Sequence, residues 1–164
     1  MVTSFLGVGK MSLFHPLPMD RVFLLNPGQA LDTGDRKLTA IRPPTYDAPE
    51  TTGFFDPKSS VLFSADCFGA LLEDPSESAA AVGKEALREG MVTWATVDAP
   101  WMHTTDRKSF GKALDDIRSL SPNTVLSSHL PIARGMTEVL LENLAEAPSA
   151  KPFAGPDQKA LEAQ

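Results

Sequence analysis

Short apolar runs separated by turn residues fill the first 66 positions of the chain, and longer runs with a spacing of three or four fill much of the remainder. RVFLL (21–25) predicts a strand and NPGQ (26–29) a turn. KLTAIRP (37–43) predicts a second strand that ends before Pro44, and LDTGDR, between these strands, has the Gly and Asp content of a tight connection. TTGFFD (51–56) and SVLFSAD (60–66) form a predicted hairpin across PKS. The first 66 residues therefore read as a β-meander.

After Gly69 the pattern changes. SESAAAVGKEALREG (76–90) predicts a helix by propensity, capped by Ser or Asp and stopped by Gly90. DRKSFGKALDDIRSL (106–120) sets Phe110, Leu114, Ile117 and Leu120 at helical spacing, with Asp106 as N-cap. NTVLSSH (123–129) predicts a short strand and GMTEVLLENLAEA (135–147) a last amphipathic helix. From Pro148 the chain turns to Ala, Pro, Lys, Glu and Gln, which predicts a disordered C-terminal tail over 148–164 behind one domain over 1–147. No internal repeat divides that domain.

The chain is 164 residues long with 42% apolar and 22% charged positions, a globular composition for one domain. A formal net charge of −6 argues against nucleic acid as a partner, because phosphate binding needs a basic face. The one cysteine, Cys67, excludes an internal disulfide and fits a reducing compartment. No apolar run approaches the roughly 20 residues needed to cross a bilayer. MVTSFLGVGKMSLF, at the start, lacks the basic opening and cleavage site of a signal peptide. These features lead us to expect a cytoplasmic protein with no membrane partner.

Two polar residues close predicted strands: Asp66 after VLFSA and His129 after TVLSS. In layered α/β folds, loops past strand ends gather ligand and metal groups. A carboxylate with a neutral imidazole suits zinc or iron. The surrounding stretches, PPTYDAPETTGFFDPKSSVLFSADCFGALL and, some sixty residues later, LSSHLPIARG, resemble the metallo-β-lactamase fold. Within it they resemble the branch of di-iron, flavodiiron-type oxygen-binding domains. The resemblance implies that Asp66, in the (S/A)D-x-F-G element, bridges two metals, and that His129, in SH-x-P, is a terminal ligand. It places Asp47, in YDAPET, where the family usually has a ligand His. The family's early H-x-(H/E)-x-D-H motif is absent, and only His15, His103 and His129 are in the chain.

The resemblance implies an α/β chain, a partial αββα sandwich whose first sheet is incomplete because the chain starts partway through the domain. It implies a metal-dependent hydrolase or oxygen-handling domain of low or no activity as given. Asp47, Asp66 and His129 would hold iron or zinc weakly or in part. No catalytic residue is assigned, no organic cofactor is expected, and the small-molecule substrate is unspecified. The alternative is a non-catalytic remnant that acts as a protein-interaction domain. In either case, unpaired strands and exposed apolar surface lead us to expect a homodimer or a tendency to aggregate.

Other motifs carry less. SFLGVGKM has Gly9 and Lys10 of a phosphate-binding loop, but Ser4 replaces the first Gly and Met11 the magnesium-binding hydroxyl. Cys67 beside His129 is a nucleophile pair only if the thiol escapes burial after its strand. No G-x-S-x-G supports a serine hydrolase. Trp94 and Trp101 are expected at the sheet edge, with His103 solvated and a substrate-contact role as the alternative. Asp56 reads as a turn residue before Pro57, and His15 as a loop residue.

Overall fold

The computed structural model describes residues 1–163. Its centre is a six-stranded mixed sheet in simple order: β3 (Ala30–Asp32), β4 (Lys37–Ile41), β5 (Gly53–Asp56), β6 (Val61–Phe63), β7 (Thr124–Ser127) and β8 (Leu130–Arg134). Strands β3 to β6 run antiparallel as a meander, in which the strands expected over 37–43, 51–56 and 60–66 take part and the one expected over 21–25 does not. LDTGDR is more than a connection, since Leu31 and Asp32 belong to β3 and only Thr33–Arg36 turns. Gly34 supplies the positive φ of 95° that this turn needs, and its N–H donates to Asp32 Oδ1 at 2.8 Å. Asp56 closes the next turn as expected, accepting from Lys58 N at 2.9 Å, Ser59 Oγ at 2.6 Å and Arg36 Nη1 at 2.8 Å. These donors, Ser59 foremost, hold its carboxyl below the usual range.

β6 and β7 pair in parallel, and the chain between them crosses over through α2 (Lys84–Asp98) and α3 (Arg107–Leu120). A helical crossover is what a parallel pair requires. In α3 the expected cap is present, with Asp106 accepting from Ser109 N, and Phe110, Leu114 and Ile117 are buried. The helix expected over 76–90 is displaced to 84–98, so Gly90 lies inside it rather than at its end. Gly90 is there for close packing: a Cβ on it would stand 2.4 Å from the Leu71 carbonyl oxygen. Strand β8 lies beyond the strand expected to end at His129. Pro131 is tolerated in it because β8 is an edge strand.

The core lies between one sheet face and the helices. Phe55, Leu62, Val125 and Ala133 stand in cross-strand register along that face, all buried. They meet Leu87 and Met91 of α2, Phe110 and Leu114 of α3, and Leu140, Leu141 and Leu144 of α4 (Thr137–Glu146). Each fully buried side chain of this size contributes about 1.5–3 kcal/mol from apolar burial.

The other face carries Phe54, Phe63 and Leu126, also in register. Phe63 is 41% and Leu126 36% exposed, so this face is open at its centre. Beside it lies the N-terminal segment. It contains β1 (Val2–Thr3), parallel to β2 (Phe23–Leu24) in a separate two-stranded sheet, and a helix the sequence pattern did not predict, α1 (Phe5–Ser12). Ser4 caps α1 by accepting from Gly7 N at 3.1 Å. The strand expected over 21–25 is cut to Phe23–Leu24 by a single 3₁₀ turn at Met19–Arg21. Past Pro148, an exposed segment leads to the short helix α5 (Gln158–Glu162), capped by Asp157. No helix among the described residues is long and apolar enough to cross a membrane.

Candidate functional site

Because β6 and β7 are parallel neighbours, their C-terminal ends reach the same edge of the sheet. Asp66 follows β6 by three residues. His129 lies in the two-residue turn between Ser127 and Leu130, which pair across the β7–β8 hairpin. Parallel pairing therefore brings together two side chains 63 positions apart, and His129 Nε2 lies 3.1 Å from Asp66 Oδ1. The imidazole is 44% exposed and the carboxylate 27%. In so wet a setting the pair adds at most about 1 kcal/mol to stability.

The loop that presents Asp66 is strained and then secured. Ala65 and Phe68 have φ of 51° and 66°, left-handed values that non-glycine residues seldom adopt. Around them the backbone is tied to the neighbouring hairpin. Ser128 N donates to the Ala65 carbonyl at 2.8 Å, Ser127 Oγ to the same oxygen at 3.2 Å, and Ala70 N to the His129 carbonyl at 2.9 Å. Ser64 N and the Leu126 carbonyl close the set at 2.9 Å.

Both tryptophans serve these loops and do not simply pack the sheet edge. Trp94, on α2, lies against His129 with ring centroids 4.2 Å apart, and its Nε1 donates to the Asp66 carbonyl at 3.0 Å. Gly69 makes room, since a Cβ there would meet the Trp94 indole at 2.5–2.8 Å. Trp101 stacks at 5.0 Å on Tyr46 and donates from Nε1 to the Tyr46 carbonyl at 2.9 Å. It thereby secures the residue next to Asp47. Asp47 itself is exposed and accepts from Thr51 Oγ1 at 3.3 Å. His103 is not solvated as expected: its Nε2 is buried without a hydrogen-bond partner.

One acidic residue escaped sequence reasoning. Asp98 ends α2, and its Oδ2 is buried without a partner. Burial, and then the negative charges of Asp66 and Asp47, push its carboxyl up to about 6, while His129 draws it back. Asp47, Asp66, Asp98 and His129 thus share one electrostatic neighbourhood. The signal available in the sequence was the four-residue spacing from Trp94, which puts both on one face of the helix.

A carboxylate oxygen beside an imidazole nitrogen offers two donors of the kind a divalent cation takes. Among the described residues no three His, Cys, Asp or Glu side chains gather closely enough to form a metal shell by themselves. The fit is therefore to one loosely held ion, centred on Asp66 and His129. The competing motifs fall away on geometry. Burial pushes the Cys67 thiol up to about 12, far from a nucleophile's range, and Lys10 is ion-paired with Glu50 instead of facing an open loop.

No family model matches the sequence, and no curated protein does. Solved structures do match. Rubredoxin:oxygen oxidoreductase from the anaerobe Desulfovibrio gigas superposes with a TM-score of 0.71 at 19% identity, over 93% of this chain and 38% of its own. The apo state of the chemotaxis sensor ODP from T. denticola gives 0.70 at 20% identity, over 88% and 57%. The flavodiiron protein from Giardia intestinalis gives 0.67 at 16% identity, over 89% and 34%. The chain spans little more than a third of the first of these. Its mixed α/β architecture is that of the metallo-β-lactamase fold, in the form carried by flavodiiron proteins.

Proposed function

We propose that this chain is an oxygen-handling domain of the flavodiiron type that binds a divalent metal, with iron preferred over zinc. The observation that carries the reading is the 3.1 Å contact between Asp66 Oδ1 and His129 Nε2 at the shared end of β6 and β7. The fold it occurs in is that of proteins described as flavodiiron and rubredoxin:oxygen oxidoreductases. Asp66 and His129 hold the ion, and Asp47 contributes charge from the neighbouring loop. A bound ion supplies Lewis acidity and, if iron, an electron source for dioxygen. Trp94 fixes the two ligand-bearing loops, and Trp101 fixes the loop of Asp47. The described residues gather no third ligand beside Asp66 and His129, which supports one weakly bound ion. Turnover of dioxygen, lactams, thioesters or phosphodiesters by the chain alone is expected to be negligible.

The deciding experiment is an anaerobic Fe(II) titration of the full chain, followed by oxygen-uptake measurement. Weak binding of at most one equivalent, lost in Asp66→Ala and in His129→Ala, supports the reading. Absence of binding by the wild-type chain refutes it, and two tightly held ions with turnover refute the single-ion form.

The open sheet face favours a companion proposal, a homodimer formed over Phe63 and Leu126. The net charge of −6 supports a role without nucleic acid, and the single buried cysteine supports a cytoplasmic setting.

A further inference from the structure

A groove of about 350 Å³ lies between residues 42–46 and α3. Pro43, Pro44, Tyr46, Trp101 and Phe110 line it, so ring side chains dominate its wall. That wall is fixed from within the chain. The Trp101 and Tyr46 ring centroids are 5.0 Å apart, and the Trp101 indole donates to the Tyr46 carbonyl. The Arg42 guanidinium lies 5.1 Å over the Tyr46 ring and is held by the carbonyls of Pro49 and Thr51. Both of those bonds use Nη1, which leaves Nε and Nη2 as donors for a visitor. On the α3 side the exposed carboxylate of Asp116 completes the lining. Aromatic walls with spare donors suit an extended, proline-bearing segment, which is stiff before it binds and presents free carbonyls. The carboxylate adds a place for a cation on that segment.

The chain itself carries such a segment. KPFAGP (151–156) forms neither helix nor strand, every residue of it is exposed, and Phe153 is 53% exposed. It follows the 3₁₀ turn Ala147–Ser149, which packs against the 3₁₀ turn Pro100–Thr104 that bears Trp101. Pro152 and Phe153 come three and four residues after Ser149, a reach of roughly 10–13 Å when extended. The segment therefore leaves the fold close to the groove. Residues 151–163 are nonetheless exposed throughout, and none of them lines the groove of its own chain.

We propose that the groove receives KPFAGP from a second copy of this chain. Pro152 and Phe153 lie against the rings of Tyr46 and Trp101, Lys151 pairs with Asp116, and Arg42 donates to carbonyls of the incoming backbone. Each tail starts near its own groove, so two chains related by a two-fold axis can exchange tails over a short span, and the exchange closes on itself. This contact uses a different surface from the sheet face of Phe63 and Leu126, and it is independent of the metal site.

The test uses the full chain carrying Phe63→Ser, so that the sheet-face contact does not mask this one. Sedimentation over a concentration series reads self-association. Isotope-filtered NMR of equal parts ¹³C-labelled and unlabelled chain reads contacts between copies. Phe153 protons of one copy should show cross-peaks to Trp101 of the other. Self-association should weaken about tenfold in Phe153→Ser, an exposed position, and in Ala113→Arg, which fills the groove from α3. Lys151→Glu should weaken it several-fold, and Lys151→Glu combined with Asp116→Lys should restore it. Self-association unchanged by both Phe153→Ser and Ala113→Arg overturns the inference, as does a chain that stays monomeric at millimolar concentration. Cross-peaks from Phe153 to Trp101 that appear only within one copy, at every concentration, overturn it in favour of a tail that closes on its own groove.

Discussion

The indole of Trp94 lies against the imidazole of His129, ring centroids 4.2 Å apart and the planes tilted by 36°. This contact is possible only because residue 69 has no side chain. Gly69→Ala should push the indole away, at an overpacking cost of about 1–3 kcal/mol. It should also lower cation affinity, and the ring-current shift of the His129 protons should shrink in an NMR spectrum. Trp94→Phe keeps a ring but loses the donor to the Asp66 carbonyl, so it should preserve the fold and weaken binding several-fold. Unchanged His129 proton shifts in Gly69→Ala would show that the two rings do not touch in solution.

Asp66 and His129 are partly exposed and add little to the fold, so replacing either with Ala should shift stability by no more than about 1 kcal/mol. Binding of Fe(II), by contrast, should vanish. Denaturant melts beside metal titrations of both variants separate the two effects. A variant that melts with wild type and still binds iron argues against its residue as a ligand.

Asp98 gives the metal-free protein a definite pH dependence. Its folded-state value, raised to about 6, exceeds that of the unfolded chain, so between the two the folded state holds more protons. Stability from this group is fully present below about pH 4 and is lost as pH rises through 6. Asp98→Asn lacks that loss. Its melting temperature should match wild type near pH 4 and exceed it increasingly up to about pH 6.5. A constant difference between the two proteins across that range would contradict the raised value.

Cys67 is fully buried, and its thiol is pushed up to about 12. Iodoacetamide at pH 8 should leave it unmodified in the folded chain and alkylate it rapidly in denaturant. Mass spectrometry of timed samples reads this directly. Rapid labelling without denaturant would mean that the loop from Asp66 to Gly69 opens far more readily than its hydrogen bonds imply.

Phe63 and Leu126 lie side by side on the open sheet face. The chain should self-associate as concentration rises, and Phe63→Ser should shift it toward monomer with little loss of stability. Light scattering over a concentration series checks both. A wild-type monomer at millimolar concentration contradicts the proposed dimer.

The meander and α3 were legible because local pattern and tertiary demand agree there. Short apolar runs between turn residues mark β4 and β5, and Phe110, Leu114 and Ile117 repeat at helical spacing behind a capping Asp106. Where the two conflict, sequence reading failed. Gly90 looks like a helix stop, yet it is there so that the backbone at Leu71 can approach. Pro131 looks like a strand breaker, yet β8 is an edge strand, with no partner strand on its outer side. Helix α1 is short and carries two glycines, so its capping Ser4 was the only cue. At the site, Asp66 and His129 stood out because each follows an apolar strand. Asp98 has no motif, and only its unpartnered buried oxygen at the end of α2 sets it apart.

The parallel pairing of β6 with β7 also bears on the order of events in folding. The meander joins neighbours in sequence and closes quickly, whereas Asp66 meets His129 only after a crossover of about sixty residues has been drawn in. Until α2 and α3 have docked, the two ligand-bearing loops are strangers, and no early collapsed species owns the site. Metal capture should therefore appear late in refolding, in step with burial of the tryptophans, and an ion added at the outset should slow unfolding far more than it speeds folding.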